Sequence, residues 1–369
     1  MYRKDGVMQW KHKATSVRET GYEHMIDTLN IISVQDFKSL SKEAQAPYVA
    51  EVLRRIREVN IYPIYYYNEV GVRNEIIKCM CTDVSFTGDT LVEHSRAGST
   101  LLDFMFPNLH LVDAGSCTNN CMYNRFYDDA KLTKCLTRHM KNYPFTSMRT
   151  PFFMYGRFFW PTATNFSPMR AKAIFERFCP KNGVIYDFSA GFGGRMLGAL
   201  SSAKSNFTYI GCEPCYDTFY NLGRLGCSIE QVTKRKDSYV LFFTGSENLS
   251  LEVNSVDFAF SCPPYYSLER YSSEETQSII QYPTYKDWLD KYVGSTLANV
   301  YAALKPGCLL GFVVADRIFC SNKAYDLGKD WCDAATSQGF TFVQKFAMKT
   351  MSRKKKSNSE ALYIFKKGG

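Results

Sequence analysis

From Val184 to the end of the chain, short runs of β-branched, aromatic and aliphatic residues alternate with helix-like stretches. That rhythm predicts an α/β fold, a parallel sheet covered by helices, of Rossmann-like layout. The runs place strands at Val184–Phe188, Phe207–Cys212, Tyr239–Phe243, Val256–Ser261, Cys308–Ala315, Phe340–Ala347 and Ala361–Phe365. Helices fit Gly194–Ala203, Tyr216–Leu225, Tyr285–Leu304 and Lys323–Gln338. Only the polar, basic stretch Lys349–Ser359 separates the last two strands, so they should form a C-terminal antiparallel hairpin at one end of a seven-stranded sheet.

The first 150 residues lack this rhythm. A helix is expected around Lys42–Val59, followed by the aromatic run Ile61–Tyr67, and no internal repeat is visible. Between Tyr143 and Pro168 the chain is crowded with aromatics, including Phe152, Phe153, Phe158, Phe159 and Trp160, as expected of a junction packed against a core. The boundary is drawn near Arg149, giving an N-terminal α+β accessory module over residues 1–150 and a larger domain over 151–369.

Composition narrows the class. At 369 residues, 45% hydrophobic and 15% aromatic, the chain can bury cores in two domains and is too apolar for extended disorder. The longest apolar run, Cys308–Ala315, is far short of the roughly 20 residues needed to span a bilayer. The start carries Arg3, Lys4, Lys11 and Lys13 and lacks an apolar signal-peptide core, so a cytoplasmic location is expected. Thirteen scattered cysteines without a framework fit a reducing compartment and no structural disulfides. The net charge of +9 is concentrated near the end, where Lys345, Lys349, Arg353, Lys354, Lys355, Lys356, Lys366 and Lys367 face Glu360 alone. Such a cluster can track phosphates or simply solvate a loop.

The first expected strand runs into a glycine-rich turn, Asp187-Phe-Ser-Ala-Gly-Phe-Gly-Gly194, and then a helix. Gly191, Gly193 and Gly194 let the backbone approach a ligand, and the helix N-terminus presents free N–H groups to it. Asp187 ends the first strand, and Glu213, followed by Pro214, ends the second about 20 residues beyond the glycines, where a carboxylate can accept hydrogen bonds from ribose hydroxyls. Gly245-Ser246-Glu-Asn248, after the third strand, falls where an adenine edge is read. At the end of the fourth strand stands Ser261-Cys-Pro-Pro-Tyr-Tyr-Ser-Leu-Glu-Arg-Tyr271. Two prolines there remove N–H donors and stiffen the chain at the carboxyl end of the sheet, where carbonyl oxygens can face a substrate.

Together these two motifs resemble those of class I S-adenosylmethionine-dependent amino-methyltransferases, including the DNA methylases that tailed bacteriophages carry, over about Asn165 to Phe365. Asn165-Phe-Ser-Pro-Met-Arg-Ala171 resembles that family's additional cofactor motif. The resemblance implies that S-adenosyl-L-methionine is the cofactor, held by Phe166, Ser167, Asp187, Ser189, Gly191, Gly193, Glu213, Pro214 and Ser246. It implies transfer of a methyl group to an exocyclic amine of adenine or cytosine in DNA, with Cys262, Pro263, Pro264 and Tyr265 as the catalytic segment. The Pro263 carbonyl would accept from the amine, and Tyr265 would stack on the extruded base. No resident metal is implied.

The chain departs from the family at Cys262, where Asp, Asn or Ser is usual, and a thiol is a poor acceptor. Cys262 could instead act as the nucleophile of carbon methylation, although carbon methylases present Pro-Cys rather than Cys-Pro. An RNA methyltransferase, or a nucleic-acid-binding protein that has lost turnover, are the rival readings. Because about 70 residues between Gly191 and Ser261 are consumed by the sheet, recognition should come largely from residues 1–150. There, Cys79, Cys81, Cys117, Cys121, Cys135 and His139 do not follow standard zinc spacings and fit buried small apolar residues better. Tyr65, Tyr66 and Tyr67 fit a half-buried strand better than a base-stacking platform.

Overall fold

The computed structural model describes residues 1–369 apart from 24–30, 89, 93–94, 116–118, 321–322 and 350–359, and the backbone alone at 92 and 349. All seven expected strands form, and two short ones from the N-terminal region join them. In chain order the central sheet holds β1 (Phe86–Thr87), β2 (Thr90–Val92), β3 (Val184–Asp187), β4 (Thr208–Cys212), β5 (Tyr239–Phe242), β6 (Val256–Ser261), β7 (Leu304–Ala315), β8 (Phe340–Lys349) and β9 (Glu360–Lys367). Across the sheet the order is β5-β4-β3-β6-β7-β9-β8-β2-β1. The strands β5, β4, β3, β6 and β7 run parallel, and β9 lies antiparallel between β7 and β8. This is the Rossmann-like α/β sheet that the alternation predicts.

The hairpin of β8 and β9 is not the end of the sheet, because the outer side of β8 pairs in parallel with β2 at Ala347↔Thr90 to Lys349↔Val92. The order reverses between β3 and β6, and the segments leaving their carboxyl ends open a crevice there.

Side-chain alternation divides the core. Ile185, Phe258, Phe260 and Val313 pack on one face with the helices Pro168–Phe178, Gly194–Leu200 and Tyr216–Thr233, and with Ile76, Leu101 and Phe106 from the N-terminal region. Tyr186, Ala259, Phe312 and Val314 pack on the other face around Trp288 and Trp331. A third cluster, with Trp10, Phe37, Val52, Tyr62, Phe126 and Phe152, belongs to the N-terminal half and includes the first residues of the junction. Of the junction aromatics, Phe152 and Phe153 are buried and Phe158 is 68% exposed.

Several expected elements differ in detail. The helix placed from Lys323 begins only at Leu327, because Lys323–Tyr325 pairs back on Ile318–Cys320. The stretch Tyr285–Leu304 is divided into Tyr285–Asp287, a π-helical Trp288–Val293 and Gly294–Ala303, and Leu304 already belongs to β7. In the aromatic run only Tyr66–Tyr67 is strand, paired with Arg18–Glu19. The helix Lys42–Val59 forms as expected, capped by the Ser41 side chain. No described helix is long and apolar enough to cross a membrane.

Candidate active site

The glycine turn leaves β3 and feeds the helix Gly194–Leu200, here α1. Gly193 caps α1 with φ 74°, and a Cβ there would meet Leu225 and Phe106 at 2.7–2.8 Å. Its role is therefore to let the helix start and pack, and it does not face the cavity described below. Gly194 permits a close approach, since a Cβ would lie 2.0 Å from the Phe166 carbonyl oxygen. That approach seats Asn165–Ser167 on the turn, where the Asn165 side-chain amide donates to the Phe192 carbonyl and Ser167 caps the helix Pro168–Phe178.

Asp187 is fully buried and does not line the cavity. Its carboxylate accepts from Arg195 Nε at 2.8 Å, Tyr209 OH at 2.7 Å and Ser261 Oγ at 2.8 Å. The cofactor role expected of it is corrected on this ground: its lone pairs are spent on α1, β4 and β6, and it fixes the crevice from below. Arg195 also donates to the Ser189 carbonyl and so braces the turn.

Glu213 does line the cavity. One oxygen accepts from the Gly191 N–H at 3.0 Å and the other from the Cys215 N–H at 2.9 Å. Burial raises the carboxyl to about 7 in spite of those two donors. The Ser246 hydroxyl is engaged with Thr296 Oγ1 at 2.7 Å, so what Ser246 turns to the cavity is not a free hydroxyl. Next to it, the buried Glu247 has an oxygen, Oε2, without a hydrogen-bond partner among the described residues, and burial raises this carboxyl as well. Gln277 Nε2, also in the cavity wall, is likewise buried and unpartnered among the described residues.

The Pro-Pro loop starts at the end of β6. Cys262, Pro263, Pro264 and Tyr265 all line the same cavity as Phe166, Ser167, Ser189, Gly191, Glu213 and Pro214. Tyr266 follows at φ 54°, a left-handed conformation costing about 1 kcal/mol or more for a bulky residue, and is held by its hydroxyl on the Pro283 carbonyl at 2.7 Å. Tyr265 OH donates to Glu360 Oε1 at 3.0 Å and lies 3.5 Å from Cys262 Sγ. Burial first, and then the charge of Glu360, push the Cys262 thiol up to about 12. A thiol so held is not a ready nucleophile, which removes the support for carbon methylation.

The cavity has a volume of about 470 Å³. Glu269, Tyr271 and Glu360 join the Pro-Pro side, whereas Arg96 and Arg149 from the first 150 residues and Arg157 from the junction line another wall. Arg149 pairs with Asp103 at 2.5 Å. Arg96 and Arg157 have no carboxylate within ion-pair range among the described residues.

Sequence reasoning missed these arginines, Glu247, Glu269, Gln277 and Glu360. Glu269 lies inside the Pro-Pro motif and Glu247 inside the Gly245–Asn248 stretch, whereas nothing in the spacing of the others announces them. Among the described residues no group of three or more His, Cys, Asp or Glu side chains is placed to hold a metal, and Cys117 lies outside those residues. Arg353 to Lys356 of the basic cluster also lie outside them. Of its other members, Lys345 pairs with Asp316 and Lys367 donates to the Leu304 carbonyl.

No family model and no curated protein matches the chain. Among solved structures it is similar to a TehB-like S-adenosylmethionine-dependent methyltransferase from Corynebacterium glutamicum, at 12% identity and TM-score 0.35 over 53% of this chain and 86% of that one. It is similar to an S-adenosylmethionine-dependent methyltransferase from Methanosarcina mazei, at 14% identity and TM-score 0.37 over 53% and 97%. A 1,6-didemethyltoxoflavin-N1-methyltransferase from Burkholderia thailandensis aligns at 13% and 0.39 over 55% and 78%. Likeness at this level carries no argument about chemistry.

Proposed function

We propose that the chain is an S-adenosylmethionine-dependent methyltransferase acting on an exocyclic amine of adenine or cytosine in DNA, with residues 1–150 as the accessory module that recognises the substrate. The observation that carries this reading is one cavity shared by the glycine turn, Glu213, the Pro-Pro-Tyr loop and an arginine wall. The residues fit the cofactor. Glu213 offers carboxylate oxygens to ribose hydroxyls, while Glu247 Oε2 and Gln277 Nε2 are a buried acceptor and donor suited to an adenine edge. Phe166, Ser167, Ser189 and Gly191 line the part of the cavity beside the turn. When bound, the cofactor supplies an electrophilic methyl group on a sulfonium.

The chain's own residues position the acceptor. The Pro263 carbonyl takes a hydrogen bond from the amine, and the buried Tyr265 ring offers a face to the base, worth about 1 to 3 kcal/mol. A fixed geometry of this kind replaces a bimolecular encounter and lowers the barrier by up to roughly 7 to 11 kcal/mol. Arg96 and Arg157, with charge unspent among the described residues, suit the phosphates of a nucleic acid better than a neutral small molecule. Incubating the purified chain with methyl-labelled cofactor and matched DNA and RNA tests the reading. Label in DNA is expected; label only in RNA would move the substrate, and label in neither would refute nucleic-acid methylation.

A further inference from the structure

The amino group of adenine or cytosine has two N–H donors, and holding it for attack on carbon takes two acceptors. The Pro263 carbonyl is one, and at the position where a second is usual the chain has the weakly accepting Cys262 thiol. The cavity nevertheless brings two carboxylates to this point. Glu269 lies eight residues along the same segment from Ser261, and Glu360 comes from the first residue of β9, which crosses beside Ala315 at the carboxyl end of β7.

The geometry points to Glu360 as the missing acceptor: its carboxylate, steered by Tyr265, takes the second amine hydrogen bond and then the proton released on methylation. This rests on the methyltransferase reading above. The two carboxylates are not equivalent. Glu269 is bound by the Tyr271 hydroxyl, and burial, reinforced by Glu360, raises its carboxyl toward the neutral form. Glu360 is exposed, lines the cavity and has one oxygen, Oε1, engaged by Tyr265 OH at 3.0 Å. Its other oxygen has no hydrogen-bond partner among the described residues and can take a substrate donor.

Tyr265 thus has a second task beside stacking, since its hydroxyl aims the carboxylate across the loop. The step balances. The amine nitrogen forms a bond to the methyl carbon as the methyl–sulfur bond breaks and leaves its electron pair on sulfur. The resulting ammonium gives one proton to Glu360, which passes it to water.

The test compares the full chain with Glu360→Gln and Glu269→Gln. Glutamine keeps an acceptor for Tyr265 OH but loses the charge and the base. Single-turnover methyl transfer to DNA should fall about 100-fold in Glu360→Gln, within the usual range for removal of a general base, with cofactor Kd unchanged within about twofold. A second readout does not need turnover. Alkylation of Cys262 by iodoacetamide, followed by peptide mass spectrometry, should shift to lower pH in Glu360→Gln because the charge that opposes the thiolate is gone. An unchanged transfer rate in Glu360→Gln, or a loss confined to Glu269→Gln, overturns the assignment while the methyltransferase reading stands. An unshifted alkylation profile overturns the placement of Glu360 beside Cys262. Wild-type chain that labels no nucleic acid refutes the parent reading and this one with it.

Discussion

Replacing Glu213 by Gln separates what the carboxylate costs the fold from what it gives the site. The carboxyl is raised from 4.5 to about 7, with burial the leading cause. At about 1.4 kcal/mol per tenfold change in proton affinity, ionising it costs the folded chain about 3 kcal/mol. The sign follows from the direction of the shift. The folded state binds the proton more tightly than the unfolded state, so stability falls as pH rises from about 4.5 to about 7 and is level above that. Gln carries no such penalty. It does place an amide NH2 against the Gly191 or Cys215 N–H, a cost independent of pH that cancels when two pH values are compared. Urea unfolding at about pH 5 and about pH 8 should therefore show the variant gaining about 2.5 kcal/mol on the wild type between the two. In calorimetry at the higher pH, S-adenosylmethionine should bind the variant more weakly by about 2 to 3 kcal/mol, roughly 30- to 150-fold. A stability difference that does not change with pH would refute the burial of an ionised Glu213. Undiminished cofactor affinity would refute its role in the site.

Two further substitutions probe the scaffold and the outer wall. Asp187→Asn leaves the buried Arg195 without its carboxylate and should cost about 3 to 5 kcal/mol by urea unfolding, whereas a loss below about 1 kcal/mol would show that the pair does not organise the crevice. Arg157→Ala and Arg96→Ala should each lower the slope of log binding constant against log salt for DNA by about 0.9, and unchanged slopes would remove phosphate contact from that wall.

The sheet is legible because strands of four or more residues, such as Val256–Ser261, carry their own signal of apolar residues between turn residues. Phe86–Thr87 and Thr90–Val92 are too short to show any period, and only the pairing of Thr90–Val92 with β8 and of Phe86–Thr87 with Thr90–Val92 makes them strands. The same holds for Lys323–Tyr325, whose hairpin partner lies outside the helical pattern it was read with. In the site, the glycine turn, Glu213 and the Pro-Pro loop could be read because each is a local motif that ends a strand. Asp187 was misjudged because a motif position does not reveal that Arg195, Tyr209 and Ser261 already occupy its oxygens. Glu360 was invisible for the opposite reason: it meets Tyr265 across 95 positions only because β9 returns antiparallel beside β7.

Methylation of DNA bases by this chain can be read by mass spectrometry of nucleosides from cells expressing the wild-type chain or Tyr265→Ala. An amino-methylated adenine or cytosine is expected in the DNA of cells with the wild-type chain and is expected to be absent with the variant. DNA and RNA unchanged by either chain, or the same methylated base with both, would contradict it.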